Sequence, residues 1–228
     1  MAKKIQKPPQ NRAISAAAKF ERRNQILQAA NELVKRHGLM TISVADVARQ
    51  AGVAKGTVYL YFKTKEEIYL GLHQLWLDRK FDAFHAMIQD PQPIDGSNIG
   101  ATMAKAMLAE SHGLVIASTC HSLMESHIDL ETALDFKLKL AQRLGTLGTL
   151  LEKRFGHLIP GSGARLLVRA YAMTLGLWQL MDTTSRYHQH ETLKGVEVFN
   201  TDFATELHAA LAAFWHGALD DLPKRKST

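Results

Sequence analysis

The segment 43–62, SVADVARQAGVAKGTVYLYF, constrains this chain more than any other. It reads as two short apolar faces joined by a glycine. Ser43 stands three residues before Asp46, so its hydroxyl can cap a helix while the carboxylate reaches back to the cap. Val44, Val47, Ala48 and Ala51 then share one helical face. Gly52 supplies the positive φ that a tight turn asks for without a steric penalty. A second helix is expected from about Lys55 to Tyr61. Val53 and Val58 would face the core, which leaves Lys55, Gly56, Thr57, Tyr59 and Tyr61 outward. Two short helices around a glycine turn make a helix-turn-helix, whose second helix can enter a major groove by its N-terminal end.

The flanks supply the helices that such a motif needs for a core. Upstream, from Phe20, the residues Ile26, Leu27, Ala30, Leu33 and Val34 form one face, and Gly38 after His37 is a stop signal. Downstream, Thr64-Lys65-Glu66-Glu67 is a capping box for a long helix with apolar positions Ile68, Leu72, Leu75, Trp76 and Phe84. Charge points the same way. Residues 1–70 carry 13 Lys/Arg against 5 Asp/Glu, and residues 71–228 carry 15 against 17, in a chain of net charge +6. A basic first third on a near-neutral body suits a module that meets a polyanion.

After the break Asp90-Pro91-Gln92-Pro93 the chain reads as helices again, at about 97–111, 113–127, 129–156, 161–188 and 197–217. No alternating strand pattern emerges. The expected fold is all-α, an N-terminal three-helix helix-turn-helix domain plus a C-terminal helical bundle, with about nine helices in all. Residues 1–17 read as a flexible basic arm and 219–228 as a tail. No run approaches the ~18 apolar residues of a membrane span. The richest stretch, Leu166 to Met181, carries Arg169 and Gln179, so no membrane partner is expected. Cys120 is the single cysteine of the chain. It excludes an intramolecular disulfide and a Cys-rich zinc module, and it fits a reducing compartment.

Chemistry-bearing patterns are sparse. There is no nucleophile elbow, phosphate loop or His-Glu-x-x-His, so no catalytic residue and no cofactor is expected. His188 and His190, and His121 and His127, lack the supporting ligands of a recognised metal site, so no metal is expected. Cys120 follows an apolar run and reads as a buried, inert thiol. Gly161-Ser162-Gly163 reads as a connector between helices.

The run from Arg22 to Leu72 resembles the DNA-binding domain of TetR/AcrR-family transcriptional regulators. The matching elements are Ile26, Ala29, Ala30, Leu33 and Gly38, then Thr41, Ile42, Val47-Ala48 and Ala51-Gly52-Val53. Gly56-Thr57-Val58-Tyr59, Tyr61-Phe62, Lys65, Glu67 and Ile68 complete the pattern. The remainder matches the family only in length and helical character. The resemblance implies that Lys55, Gly56 and Tyr59 touch base edges, and that Ser43, Thr57, Tyr61 and Lys65 meet phosphates. Phe62 would plug the recognition helix against the next one. No Arg, Asn or Gln lies between Val53 and Phe62, so specificity would lean on Lys55, apolar contacts and DNA shape.

The resemblance further implies residues 18–64 as the DNA-binding domain and 65–218 as a ligand-binding and dimerisation domain. Its pocket would lie among Trp76, Met103, Met107, Met124, Phe136 and Trp178, with Arg143 or His121 orienting a polar group. Few charges fall at core-facing positions, which favours a small apolar or amphipathic effector. Ala170, Thr174, Gly176 and Leu177, with Ala209, Ala210, Ala212, Ala213 and Phe214, would form a four-helix homodimer interface. The function implied is a cytoplasmic, nucleoid-associated, ligand-released dimeric repressor on a double-stranded operator. The rival reading is a small-molecule-binding helical protein with a nonspecific or vestigial DNA-binding domain.

Overall fold

The structure, a computed structural model, describes residues 10–181 and 201–219, apart from the side chains of 10–15, 121 and 123–125. His188 and His190, most of the N-terminal arm, the polar segment 188–195 and the tail from 220 lie outside the described residues, as do the side chains of His121 and Met124. Among the described residues there are nine α-helices and no strand. The chain divides into two compact units, Met1–Leu72 and His73–Thr228, with the division inside one helix.

The first unit holds α1 (Gln10–His37), α2 (Val44–Gln50), α3 (Lys55–Tyr59) and the opening turns of α4 (Lys65–Gln89). Helix α1 takes in residues 10–17, expected to be part of a flexible arm, and so starts well before its buried face, which runs from Ile26 through Leu27 and Ala30 to Val34. At its end the Gly38 amide bonds to the Val34 carbonyl at 2.8 Å. Helix α2 opens on the Ser43–Asp46 capping box expected from the spacing. Gly52 takes a φ of +66°, and the Val53 amide then closes back on the Ala48 carbonyl at 3.0 Å. Val58 and Phe62 fill the space beneath α3, and the Arg23 guanidinium lies 5.0 Å over the Phe62 ring. Val53, expected in the core, is only half-buried.

Helix α3 stops two residues short of the expected Tyr61. Its last amides turn to three-residue bonds, Leu60 to Thr57 and Tyr61 to Val58, the tightening that satisfies helix ends. The cap of α4 also departs from the ideal box. Thr64 accepts from the Glu67 amide as expected, while the Glu67 carboxylate takes the amide of Lys63 at 2.7 Å.

The second unit holds the rest of α4 with α5 (Gly96–Leu108), α6 (His112–His127), α7 (Leu130–Arg154), α8 (Ser162–Met181) and α9 (Phe203–Leu219). Asp95 and Asp129 cap α5 and α7 by accepting the amides of Asn98 and Thr132. Two crossings bring backbones together where no side chain fits between. A Cβ at Gly100 of α5 would stand 2.7 Å from the Ala212 amide of α9, and one at Gly148 of α7 only 2.3 Å from the Ala164 amide of α8. Axes this close leave no room for ridges of ordinary side chains at the crossing point.

Candidate DNA-reading face and ligand cavity

Helix α3 is short, so its side chains are aimed by what lies under it. Val58, wholly buried, fixes the inner face. Lys55 and Tyr59, and Gly56 and Leu60, are pairs four residues apart, so these four residues form one outward stripe. All four are exposed; Tyr59 is 45% and Leu60 77% accessible. A Cβ at Gly56 would meet nothing within 4 Å, so a partner can approach the backbone there. The Lys55 ammonium lies 5.9 Å from the Tyr59 ring, an aliphatic–aromatic ridge with a cation at its N-terminal end. Thr57 and Tyr61 stand beside this stripe and are half-buried.

Ser43 and Lys65 are set differently. The Ser43 hydroxyl donates to Asp46 at 2.6 Å and accepts the Asp46 amide at 3.2 Å, so its hydrogen-bonding capacity is largely engaged. The Ser43 side chain and then its backbone amide hold the Asp46 carboxyl below the usual range, with Arg49 adding to them. Lys65 is the first residue of α4 and carries its ammonium 5.3 Å over Tyr69, whose hydroxyl donates to the Leu39 carbonyl at 2.6 Å. The sequence reading had no place for Leu60. Its spacing from Gly56 was the available signal: an apolar residue on an otherwise polar stripe.

The second unit holds an apolar cleft of about 150 Å³ between α4, α5, α7 and α8, with the exposed Ala83 and Val168 at its rim. Leu77, Phe81 and Phe84 of α4 face Leu140, Leu144 and Leu147 of α7 across it, with Met103 and Met107 of α5 closing one side. Of the pocket residues expected from sequence, Met103 and Met107 line this space. Trp76, Phe136 and Trp178 do not. Trp76 is 1% exposed and donates its indole N–H to the Glu110 carbonyl at 3.2 Å. Phe136 sits against His73, with ring centroids 5.5 Å apart, and beside a smaller cleft next to Arg143. Trp178 meets Phe203 edge-on at 5.0 Å. Arg143 is occupied on α4, at 3.2 Å from Asp78 and 2.9 Å from Asp82. The walls are instead two leucine- and phenylalanine-bearing faces at i, i+4, i+7. Periodicity identifies such faces but not whether the space between them is filled.

Polar groups at this cavity are few and mostly engaged. The Tyr171 hydroxyl is 2.9 Å from His73 Nε2. Burial depresses the His73 pKa to about 4, so the ring is neutral at physiological pH, and its Nδ1 has no partner. Burial, then nearby Cys120, raises the Tyr171 pKa, and burial pushes the Cys120 thiol up to about 12. Lys80 is the one basic side chain among the described lining residues. Its side chain is 10% exposed, and its ammonium is 3.1 Å from Glu110 and 5.5 Å from the Trp76 ring. Arg79 reaches the same carboxylate at 3.1 Å. Burial works against the Glu110 charge, but Lys80 and Arg79 outweigh it and hold the carboxyl below the usual range.

Among the described residues no helix is long and apolar enough to cross a membrane, and no group of three His, Cys, Asp or Glu is placed to hold a metal. Residues 26–72 match the family model for bacterial regulatory proteins of the tetR family, and residues 72–221 match the model for the tetracyclin repressor-like C-terminal domain. A fatty acid metabolism regulator protein of Bacillus subtilis (strain 168) is 31% identical over 117 residues, a stretch that takes in 50% of this chain and 59% of that protein. The fatty acid degradation regulator FadR of Bacillus halodurans superposes with a TM-score of 0.53 at 22% identity, covering 86% of this chain and 98% of the other. The regulator FadR of Bacillus subtilis in complex with stearoyl-CoA superposes with a TM-score of 0.50 at 19% identity, covering 84% and 96%. Both family models together span the helix-turn-helix and the helical body that follows it, and the chain belongs to the TetR family of bacterial DNA-binding transcriptional regulators.

Proposed function

We propose that the protein is a dimeric, cytoplasmic repressor released from its operator by a small apolar or amphipathic effector. The observation that carries this reading is the exposed stripe Lys55, Gly56, Tyr59 on a short, well-buttressed helix. Lys55 can donate to guanine O6 or N7, and Gly56 lets backbone approach a base. Thr57, Tyr61, Lys65 and Ser43 serve phosphates; for Ser43 this requires its hydroxyl to turn from Asp46. Leu60 adds an apolar surface of the kind that meets a thymine methyl. Residues 18–64 form the DNA-binding domain and 65–218 the effector and dimer domain.

Two copies pair through α8 and α9. Ala170 and Thr174, expected at this interface, are wholly buried within one copy, whereas Ala172 and Leu180 of α8 and Ala209 and Ala213 of α9 are exposed, and small residues at a crossing let helix axes approach. The dimer places two recognition helices in successive major grooves, about one helical turn apart. The effector occupies the carbon-lined cavity. The Bacillus subtilis FadR structure with stearoyl-CoA supports an amphipathic effector in a body of this fold. Helix α4 runs from Lys65, which meets phosphate, to the cavity residues Leu77 and Phe81, so displacing it on ligand binding changes the separation of the two reading heads. The effector works only through its different affinity for the two states.

Selection of bound duplexes from a random library, at one fixed near-physiological salt concentration, tests the reading, because phosphate contacts make affinity steeply salt-dependent. An inverted repeat is expected. Tyr59→Ala and Lys65→Ala should each weaken binding to it while the dimer stays intact. Wild-type affinity in both variants refutes the assigned contacts, and binding indifferent to sequence refutes the operator reading.

A further inference from the structure

We infer that the projecting first half of α1 is a second DNA contact, in which Lys19 and Arg22 hold phosphates of the duplex beside the groove that α3 reads. The contact is independent of the effector cleft.

Charge points there first. Residues 1–31 carry seven Lys/Arg, with Glu21 as their one acidic residue, an excess equal to the net charge of +6 of the whole chain. The rest of the first unit, residues 32–72, carries six Lys/Arg against four Asp/Glu. Helix α3 itself supplies one cation, Lys55. Sequence-independent attraction to a duplex comes from the phosphates that Lys and Arg neutralise. In this chain α1 and the residues before it therefore carry most of that attraction.

Geometry brings the charge to the right place. Helix α1 begins at Gln10, but its first buried side chain among the described residues is Ile26. Residues 16–22 are all exposed, and Phe20 is 64% accessible. Ala16, Ala17 and Ala18 sustain the helix there by propensity rather than by packing. From Gln10 to Arg22 the rod is about 20 Å long, a length of duplex that presents about six phosphates on each strand. Lys19 stands seven residues before Ile26 and Arg22 stands four before it, so both cations continue the face that α1 buries against the rest of the unit. Arg23 marks where the rod leaves the domain. Its guanidinium lies over the Phe62 ring, and Phe62 follows Tyr61 at the exit of α3. The basic face thus emerges beside the reading helix.

Two further observations favour DNA. A helix that lies on a membrane surface needs a broad apolar face, and residues 16–23 offer Phe20 alone beyond the alanines. The segment also precedes residue 26, where the match to the tetR family model begins, so this surface belongs to the chain rather than to the shared motif.

The test is equilibrium binding of the full chain to a random-sequence duplex, and to the inverted repeat recovered by selection, across a salt series. Lys19→Gln/Arg22→Gln removes both charges and keeps helix propensity. The salt slope should fall by about 1 for each cation removed, so that per bound copy the wild type loses about sixteenfold more affinity than the variant for each fourfold rise in salt. Affinity should drop by the same factor on both duplexes. Lys137→Gln/Lys153→Gln, on exposed positions of α7, makes the same change in net charge and should leave the slope unchanged. Four results overturn the inference. They are an unchanged slope in the α1 variant, an equal fall in the α7 control, a loss confined to the inverted repeat, or lost binding to phosphatidylglycerol vesicles with both duplexes unaffected. Because the random duplex alone decides the slope, failure of this contact is distinguishable from failure of the operator reading.

Discussion

Gly113→Ala should strongly destabilise the second unit. Gly113 lies in the first turn of α6, directly against Trp76 of α4. A Cβ there would come within 2.1 Å of the indole Nε1, 2.2 Å of Cδ1 and 2.6 Å of Cε2, where ordinary contact begins at 3.4 Å. The indole must therefore retreat by more than an ångström. It has nowhere easy to go, being 1% exposed, and its N–H is bonded to the Glu110 carbonyl at 3.2 Å. Overpacking of this kind costs about 1–3 kcal/mol. Loss of the buried hydrogen bond adds about 1–3 kcal/mol. The sum is about 2–6 kcal/mol, which for a chain of this size lowers Tm by about 4–24 °C. Gly145→Ala is the control. Gly145 is also helical, but a Cβ there meets nothing within 4 Å, so the change should stabilise by about 0.5–1 kcal/mol through helix propensity. Urea titration followed by far-ultraviolet circular dichroism reads both. A Gly113→Ala protein within about 0.5 kcal/mol of wild type, a usual range for surface changes, would show that Trp76 is not confined as described.

Two further predictions concern buried groups. The folded-state pKa of His73, about 4, lies below its ordinary 6.5, so between those values the unfolded chain binds a proton that the folded chain refuses. Stability should fall as pH drops from about 6.5 to about 4, by about 3 kcal/mol in all. His73→Gln, which can keep a bond to Tyr171, should flatten that acid limb, and an unchanged limb refutes the assignment. Cys120, with its thiol near 12, should resist alkylation in the native protein and react at the rate of unfolding, so immediate stoichiometric labelling would show an accessible thiolate.

The capping box at Ser43 and Asp46, the turn at Gly52 and the buried Val58 were legible because each is a local rule, whereas the buried Phe62 came only with the family resemblance. A cap needs its partner three residues on, and a positive φ needs glycine. Helical spacing placed Lys55, Gly56 and Tyr59 outward, as they stand, while Thr57 and Tyr61, expected beside them, are half-buried, and the exposed Leu60 was not among the expected residues. The helical body was legible as elements, since Asp95 and Asp129 cap where they stand. Its interior was not. Trp76, Phe136 and Trp178 are large and apolar, and nothing local distinguishes a residue that fills a core from one that lines a void.

The sequence by itself therefore determined the all-helical class, the helix-turn-helix and the direction of its exposed face, because those depend on neighbours within a turn or two. Only the tertiary structure decided where space remains between Leu77, Phe81, Leu144 and Leu147, and that Lys80 and Arg79 converge on Glu110 beside it. Those outcomes depend on how closely helices distant in sequence approach. The approach is set by residues such as Gly100 and Gly148, which the pattern of apolar faces leaves unranked.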